Sequence, residues 1–307
     1  MIVCLMGPTA SGKTQLAVEL IQRYPFEIIS VDSAMVYRGM DIGTAKPDQE
    51  ILAKIPHYLI DICHPDEAYS AGRFCKDAVN AIENIEKNQH IPLLTGGTML
   101  YFRALQQGLS ELPVADQQIR DQINLDAEQY GWDKLYEKLS NIDPVTAKRL
   151  HPNDIQRIQR ALEVYEITQI PLSQLHDHQE KYLKNHRIIN IGLVPQDDDR
   201  EKLKLKIAKR FHHMLERGFI EEVKKLWIYK DTPVLRSVGY RQVCEYLDEK
   251  YDKKMMIEKA IIATQQLAKR QMTWLRSFSD MNYFDCESST IVEEVSQFLK
   301  VQHILVD

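Results

Sequence analysis

Apolar positions fall into short unbroken runs in some parts of the chain and into three- and four-residue spacings in others. Ile2 to Met6 is an unbroken apolar run closed by Gly7-Pro8, which predicts a buried strand entering a turn. Lys13 to Arg23 predicts a helix, Phe26 to Val31 a second strand ending at Asp32-Ser33, and His57 to Ile62 a third. Ser70 is placed to cap a helix reaching about Lys87, with Phe74, Ala78, Ile82 and Ile85 on one face. Ile91 to Thr95 predicts a further buried strand, closed by Gly96-Gly97. Strands alternating with helices imply an α/β fold with a parallel sheet covered on both faces.

After Leu112-Pro113 the strand patterns stop and helical patterns rich in Gln, Asp and Lys take over. An all-helical insertion over residues 116–183 is expected, dividing a core made of residues 1–115 and 184–307. Arg187 to Val194 has the composition to return to the sheet. From Asp199 onward the expectation is mostly helical, with Asp197-Asp198-Asp199 at a helix start where acidic residues complement the macrodipole.

Composition adds exclusions. The 307 residues are 44% hydrophobic and 27% charged, with a formal net charge of −5, so any nucleic-acid partner must meet a local basic patch. No apolar run approaches the roughly 18 residues of a membrane span, and the first residues lack the features of a signal peptide. Cys4, Cys63, Cys75, Cys244 and Cys286 form no CxxC pair and are odd in number, which argues for reduced thiols and a cytoplasmic protein.

The sharpest chemical signal is Gly7-Pro8-Thr9-Ala10-Ser11-Gly12-Lys13-Thr14, a GxxxxGK[ST] loop between a strand and a helix. Its glycines let backbone N–H groups turn inward, the helix start adds positive potential, Lys13 supplies a charge, and the Thr14 hydroxyl can hold Mg²⁺. The loop alone leaves open whether its guest is a nucleotide such as ATP or another diphosphate. Asp32 ends a strand on the edge where open α/β sheets bind ligands, and three roles stay open for it: turn residue, magnesium-side acid or general base. Asp61 rivals it for the metal side. Thr95-Gly96-Gly97-Thr98 permits close backbone approach on the same edge. Arg157 and Arg160 share a helical face suited to phosphate contacts, and Arg210 stands on a basic helix able to reach the diphosphate. No zinc-ligand spacing and no Gly-x-Ser-x-Gly elbow is present.

Gly7 to Thr14, Ser30-Val-Asp-Ser33, Gly39-Met-Asp-Ile-Gly-Thr-Ala-Lys46, Gly96-Gly-Thr-Met-Leu-Tyr101, His151-Pro-Asn-Asp154, Arg236-Ser-Val-Gly-Tyr-Arg241 and Gln266 to Arg276 together closely resemble the bacterial tRNA dimethylallyltransferases. The resemblance runs in order along almost the whole chain. It implies a P-loop NTPase-like sheet flanked by helices, and transfer of a dimethylallyl group from dimethylallyl diphosphate to N6 of the adenosine next to the anticodon on its 3′ side. By that resemblance Gly7 to Thr14 and Arg210 bind diphosphate, with Mg²⁺ at Thr14. Asp32 becomes the general base, and Thr98 with Asp32, Ser33, Ala34 and Met35 meets the substrate base. Arg120 and Gln156, Arg157, Ile158, Gln159 and Arg160 face the tRNA anticodon stem-loop from the insertion. Arg236, Ser237, Val238, Gly239, Tyr240 and Arg241 do so from the core. A monomer is expected. The rival readings are an adenylate isopentenyltransferase, a P-loop small-molecule kinase, or a non-catalytic tRNA-binding module.

Overall fold

An unbroken apolar run is comfortable only where both faces of a strand are covered, and Ile2–Met6 forms such a strand, β1, with every side chain buried. The computed structural model describes residues 1–110, 112–177, 179–195 and 200–305. The helix start expected at residues 197–199 lies outside the described residues.

Four βα pairs begin the chain: β1 with α1 (Lys13–Arg23), β2 (Phe26–Val31) with α2 (Gln49–Lys54), β3 (His57–Tyr58) with α3 (Ala71–Lys87), and β4 (Ile91–Gly96) with α4 (Met99–Gln107). Next come β5 (Leu109–Ser110), α5 (Gln117–Tyr130), α6 (Trp132–Ile142), α7 (Pro144–Arg149), α8 (Ile155–Thr168) and β6 (Gln179–Glu180). The chain continues with β7 (Ile188–Val194), α9 (Arg200–Glu216), α10 (Phe219–Lys225), α11 (Tyr240–Leu247), α12 (Lys253–Leu275), β8 (Met281–Asp285) and α13 (Ile291–Val301).

Six strands pair in parallel in the order β3-β2-β4-β1-β7-β8. β1 lies between β4 and β7, with Leu5 beside Thr95 and Ile191. The carboxyl ends of β1, β2 and β4 therefore open on one edge, where ligands of such sheets bind. One face is sealed by α1 and α13, through Leu16, Leu20, Val295 and Leu299 against Val3, Leu5, Ile28 and Leu193. α3 packs on β2 and β4 with Phe74, Ala78, Ile82 and Ile85 buried as the spacing predicts. Each large member of that face contributes about 2 kcal/mol. Ser70 accepts the Arg73 N–H at 3.1 Å and starts the helix.

The third strand is shorter than the expected His57–Ile62. Leu59 and Asp61 adopt left-handed backbone (φ 64° and 55°), which breaks the ladder after Tyr58. β8 was not foreseen: its half-exposed mixture of polar and apolar residues leaves no buried run to read.

Packing divides the chain into two units, Met1–Ala104 with Leu183–Asp307, and Leu105–Tyr182. The second unit begins earlier than residue 116 and is not all-helical. Leu109 pairs with Glu180 and Ser110 with Gln179 in an antiparallel ladder too short to leave an alternating signature. Its own core joins Ile123, Leu135, Leu139, Ile158 and Leu162. None of the five cysteines is in a disulfide. Among the described residues no helix is long and apolar enough to cross a membrane.

Candidate functional site

The edge where β1, β2 and β4 end carries two cavities of about 450 Å³ and about 440 Å³, both within the first unit. Thr9, Asp32, Thr44, Gly97, Arg210, Met214 and Gln271 line both, so the cavities meet at those residues.

One cavity surrounds the phosphate loop. β1 ends at Met6, and the chain turns through Ala10 at φ 65° and Gly12 at φ 82° into α1. Gly12 stands at the N-cap without a side-chain acceptor, so the first-turn N–H groups of α1 are left for an anion. Lys13 Nζ donates to the Pro8 carbonyl at 2.6 Å and to Ser11 Oγ at 3.4 Å. Burial of its ammonium, reinforced by the Arg210 charge, lowers Lys13 to about 7, although Asp32 pulls the other way. Burial also lowers Arg210, again against Asp32. Among the described residues neither cation has an ion-pair partner; Arg210 donates only to the Thr44 carbonyl, at 3.3 Å. Two desolvated cations facing one cavity suit an anion. Thr9 to Thr14 line this cavity, whereas Gly7 and Pro8 support it from behind; a Cβ on Gly7 would meet the Leu193 carbonyl at 2.5 Å.

The second cavity lies on the far side of Asp32. Asp32 Oδ1 accepts the N–H groups of Ala34 (2.8 Å) and Met35 (3.2 Å), which fixes the carboxylate and leaves Oδ2 without a protein donor among the described residues. Thr98 Oγ1 accepts the Ser33 N–H at 3.0 Å and donates to Ser33 Oγ at 3.4 Å, locking the loops after β2 and β4 together. Ser33, Ala34, Ser237, Val238, Gly239 and Tyr240 line this cavity, while Met35 lines the phosphate-side one. α12 contributes Thr264, Leu267, Arg270, Gln271 and Trp274.

The structure separates the two rival aspartates. Asp61 lines neither cavity; it and Asp41 hold Lys46, whose side chain is 1% exposed, with Asp61 Oδ1 at 2.6 Å. Asp61 is therefore a scaffold residue, neutralising a buried cation.

Three scaffold and cavity groups escaped the sequence reading. Glu222 accepts the N–H groups of Asp41, Ile42 and Gly43 (3.0, 2.6 and 3.0 Å) and the Tyr240 hydroxyl at 2.6 Å. Burial, with Glu222 beside it, raises the Tyr240 phenol well above its usual range, so Tyr240 acts as a wall anchored by its hydroxyl. Gln271 and the α12 stripe are the others. The Gly39 to Lys46 and Gln266 to Arg276 blocks contained the signal for these contacts, but only the fold reveals what they touch.

The remaining candidates stand apart from the cavities. Arg236 and Arg241 are exposed on the first unit. On the second, Gln156 and Arg157 are exposed and Gln159 is half-buried, donating to Asn124 Oδ1 at 2.8 Å. Arg157 is paired only with Asp154 at 3.3 Å, among the described residues, and is 70% exposed. Arg120 and Arg160 are committed to Glu163, at 2.9 and 2.7 Å, and Arg160 also donates to the Pro113 carbonyl at 2.7 Å. Burial would raise Glu163, but hydrogen bonds from Arg120, Arg160 and the Asp116 N–H outweigh it and lower the carboxyl. Ile158, expected to face RNA, is fully buried in the α8 core stripe, because helical spacing turns it away from its exposed neighbours.

A family model described as IPP transferase matches residues 35–278. A protein of Coxiella burnetii named tRNA dimethylallyltransferase is 52% identical over 303 residues, covering 97% of each chain. One of Thioalkalivibrio sulfidiphilus with the same name is 54% identical over 289 residues, covering 93% of this chain and 90% of that one. The crystal structure of a tRNA isopentenylpyrophosphate transferase from Bacillus halodurans is 34% identical, with a TM-score of 0.70 over 98% of this chain and 99% of that one. A eukaryotic dimethylallyltransferase acting on tRNA is 26% identical, with a TM-score of 0.80 over 100% of this chain and 80% of that one.

Proposed function

Because the chain belongs to the IPP transferase family and transfers dimethylallyl groups to tRNA, we propose that its two joined cavities divide that reaction between them. The phosphate-loop cavity takes dimethylallyl diphosphate, and the cavity beyond Asp32 takes the adenosine 3′-adjacent to the anticodon. The observation that carries this reading is the position of Asp32, on the wall common to both cavities.

An adenine amine shares its lone pair with the ring, so it attacks well only if its proton leaves as the bond forms. Asp32, held through Oδ1, presents its other oxygen as the acceptor of that proton. The new N6–carbon bond forms as the allylic carbon–oxygen bond breaks, and the electron pair departs with the diphosphate. The uncapped N–H groups of α1, Lys13 and Arg210 receive the leaving charge.

Among the described residues no cluster of three His, Cys, Asp or Glu side chains is arranged to hold a metal. Thr14 lines the phosphate-loop cavity, and its hydroxyl suits Mg²⁺, which keeps water and phosphate oxygens as ligands and needs few from protein; Thr14 is the residue that would hold it. When bound there, Mg²⁺ would offset charge on the leaving diphosphate.

A stacked anticodon base must be flipped out to enter a protein cavity, and Arg157, Gln156, Arg236 and Arg241 are exposed residues suited to hold the loop. A small-molecule kinase would leave the second unit, Leu105–Tyr182, without a task. The test is incubation with labelled dimethylallyl diphosphate, Mg²⁺, AMP and unmodified tRNA, then nucleoside analysis. Label in N6-dimethylallyladenosine is expected; label transferred only to AMP would favour a free-nucleotide enzyme.

A further inference from the structure

Gln271, on α12, has no part in the chemistry above, yet it lines both cavities and is 9% exposed. Its Oε1 accepts the Thr9 N–H at 2.8 Å, and its Nε2 donates to the Gly97 carbonyl at 2.9 Å. Those partners fix the amide orientation, since a backbone N–H can only donate and a carbonyl only accept. Thr9 belongs to the phosphate loop. Gly97 precedes Thr98, whose hydroxyl holds the loop beginning at Asp32. One buried amide thus connects the leaving-group cradle to the acceptor pocket. The fit is close enough to dictate its neighbour: a Cβ on Gly97 would overlap Gln271 Nε2.

We propose that Gln271 is a positioning residue that sets the spacing between the two cavities, and so governs the rate of transfer rather than the affinity for either substrate. The inference rests on the prenyl-transfer reading. A nucleophile and a leaving group held on separate segments react only when those segments keep their register, and a displacement of about 1 Å can cost on the order of 100-fold. Loss of the amide frees the phosphate loop to shift against the Asp32 loop while each cavity keeps its own binding groups.

Gln271→Met keeps the length of the side chain and removes both hydrogen bonds; Gly97→Ala displaces the amide from the opposite side. Single-turnover transfer at saturating tRNA and dimethylallyl diphosphate is measured beside the affinity for each substrate and thermal melting. Each variant is expected to lose on the order of 100-fold in rate with both affinities nearly unchanged, and the double variant to lose no more than either alone. A normal rate in Gln271→Met, a loss seen only as weaker binding of one substrate, or additive losses in the double variant would overturn the proposal. If Gln271→Met is unfolded at the assay temperature, Gly97→Ala decides: a rate equal to wild type overturns the tether. A wild-type chain that transfers no dimethylallyl group brings down the underlying reading instead.

Discussion

Two pairs of basic residues in this chain have opposite surroundings. Lys13 and Arg210 face one cavity with no ion-pair partner among the described residues, and burial lowers both. Arg120 and Arg160 end on the same carboxylate, Glu163, which is 0% exposed. Unpaired desolvated cations raise the energy of the empty site and are relieved by an anion, whereas a saturated cluster ties α5 and α8 to the segment at Pro113 and Asp116. Motif resemblance put all four in the same class of ligand-contacting residue. Their partners sort them into a pair poised for a ligand and a pair already satisfied.

The largest effect expected from this contrast is at the carboxylate facing the unpaired cations. Asp32→Asn should lower single-turnover transfer by about 10²- to 10⁴-fold with tRNA affinity nearly intact; a near-normal rate would remove Asp32 as the base. On the satisfied side, Glu163→Gln should destabilise the second unit by about 2 kcal/mol, read by denaturant melting, with little change in chemistry at saturating substrate. Glu163 has a lowered carboxyl, so its contribution is present above the ordinary Glu range and fades as pH falls through the lowered value.

The third effect is a proton. With Lys13 lowered to about 7, the free cavity loses a charge as pH rises past that value, and a bound diphosphate restores it. The Lys13 contribution to diphosphate affinity should therefore be flat below about pH 7 and fall up to about tenfold per unit above it. Calorimetry across that range checks this, and the slope from this group should vanish in Lys13→Met. The smallest effect separates exposed from committed arginines: Arg157→Ala should reduce the salt dependence of tRNA binding by a slope of about 1 without lowering melting, while Arg120→Ala should lower melting.

Much of the core was legible because buried parallel strands and amphipathic helices write themselves as runs and spacings. Ile2–Met6, Lys13–Arg23 and Phe26–Val31 appear at their expected bounds. β3 was overestimated because left-handed backbone at Leu59 and Asp61 leaves no apolar signature. β5 and β6 were invisible, since two-residue strands carry no period. In the candidate site, the phosphate loop and Asp32 were readable as local motifs, but Asp61 could not be told from Asp32 until Lys46 was seen against it.

What the sequence determined by itself is what depends on neighbours along the chain: the strand-loop-helix that forms an anion cradle, the capped amphipathic helices, and the ordered motifs of one enzyme family. What only the tertiary structure decided is which distant groups meet. Thr9 and Gly97 stand far from Gln271 in sequence, yet each comes within 2.9 Å of it on the sheet edge, and Glu163 claims two arginines that the family resemblance assigned to RNA. The physical reason is that hydrogen bonds and ion pairs are short-ranged, so the partner that fixes the role of a polar side chain is chosen by packing and leaves no trace in the residues beside it.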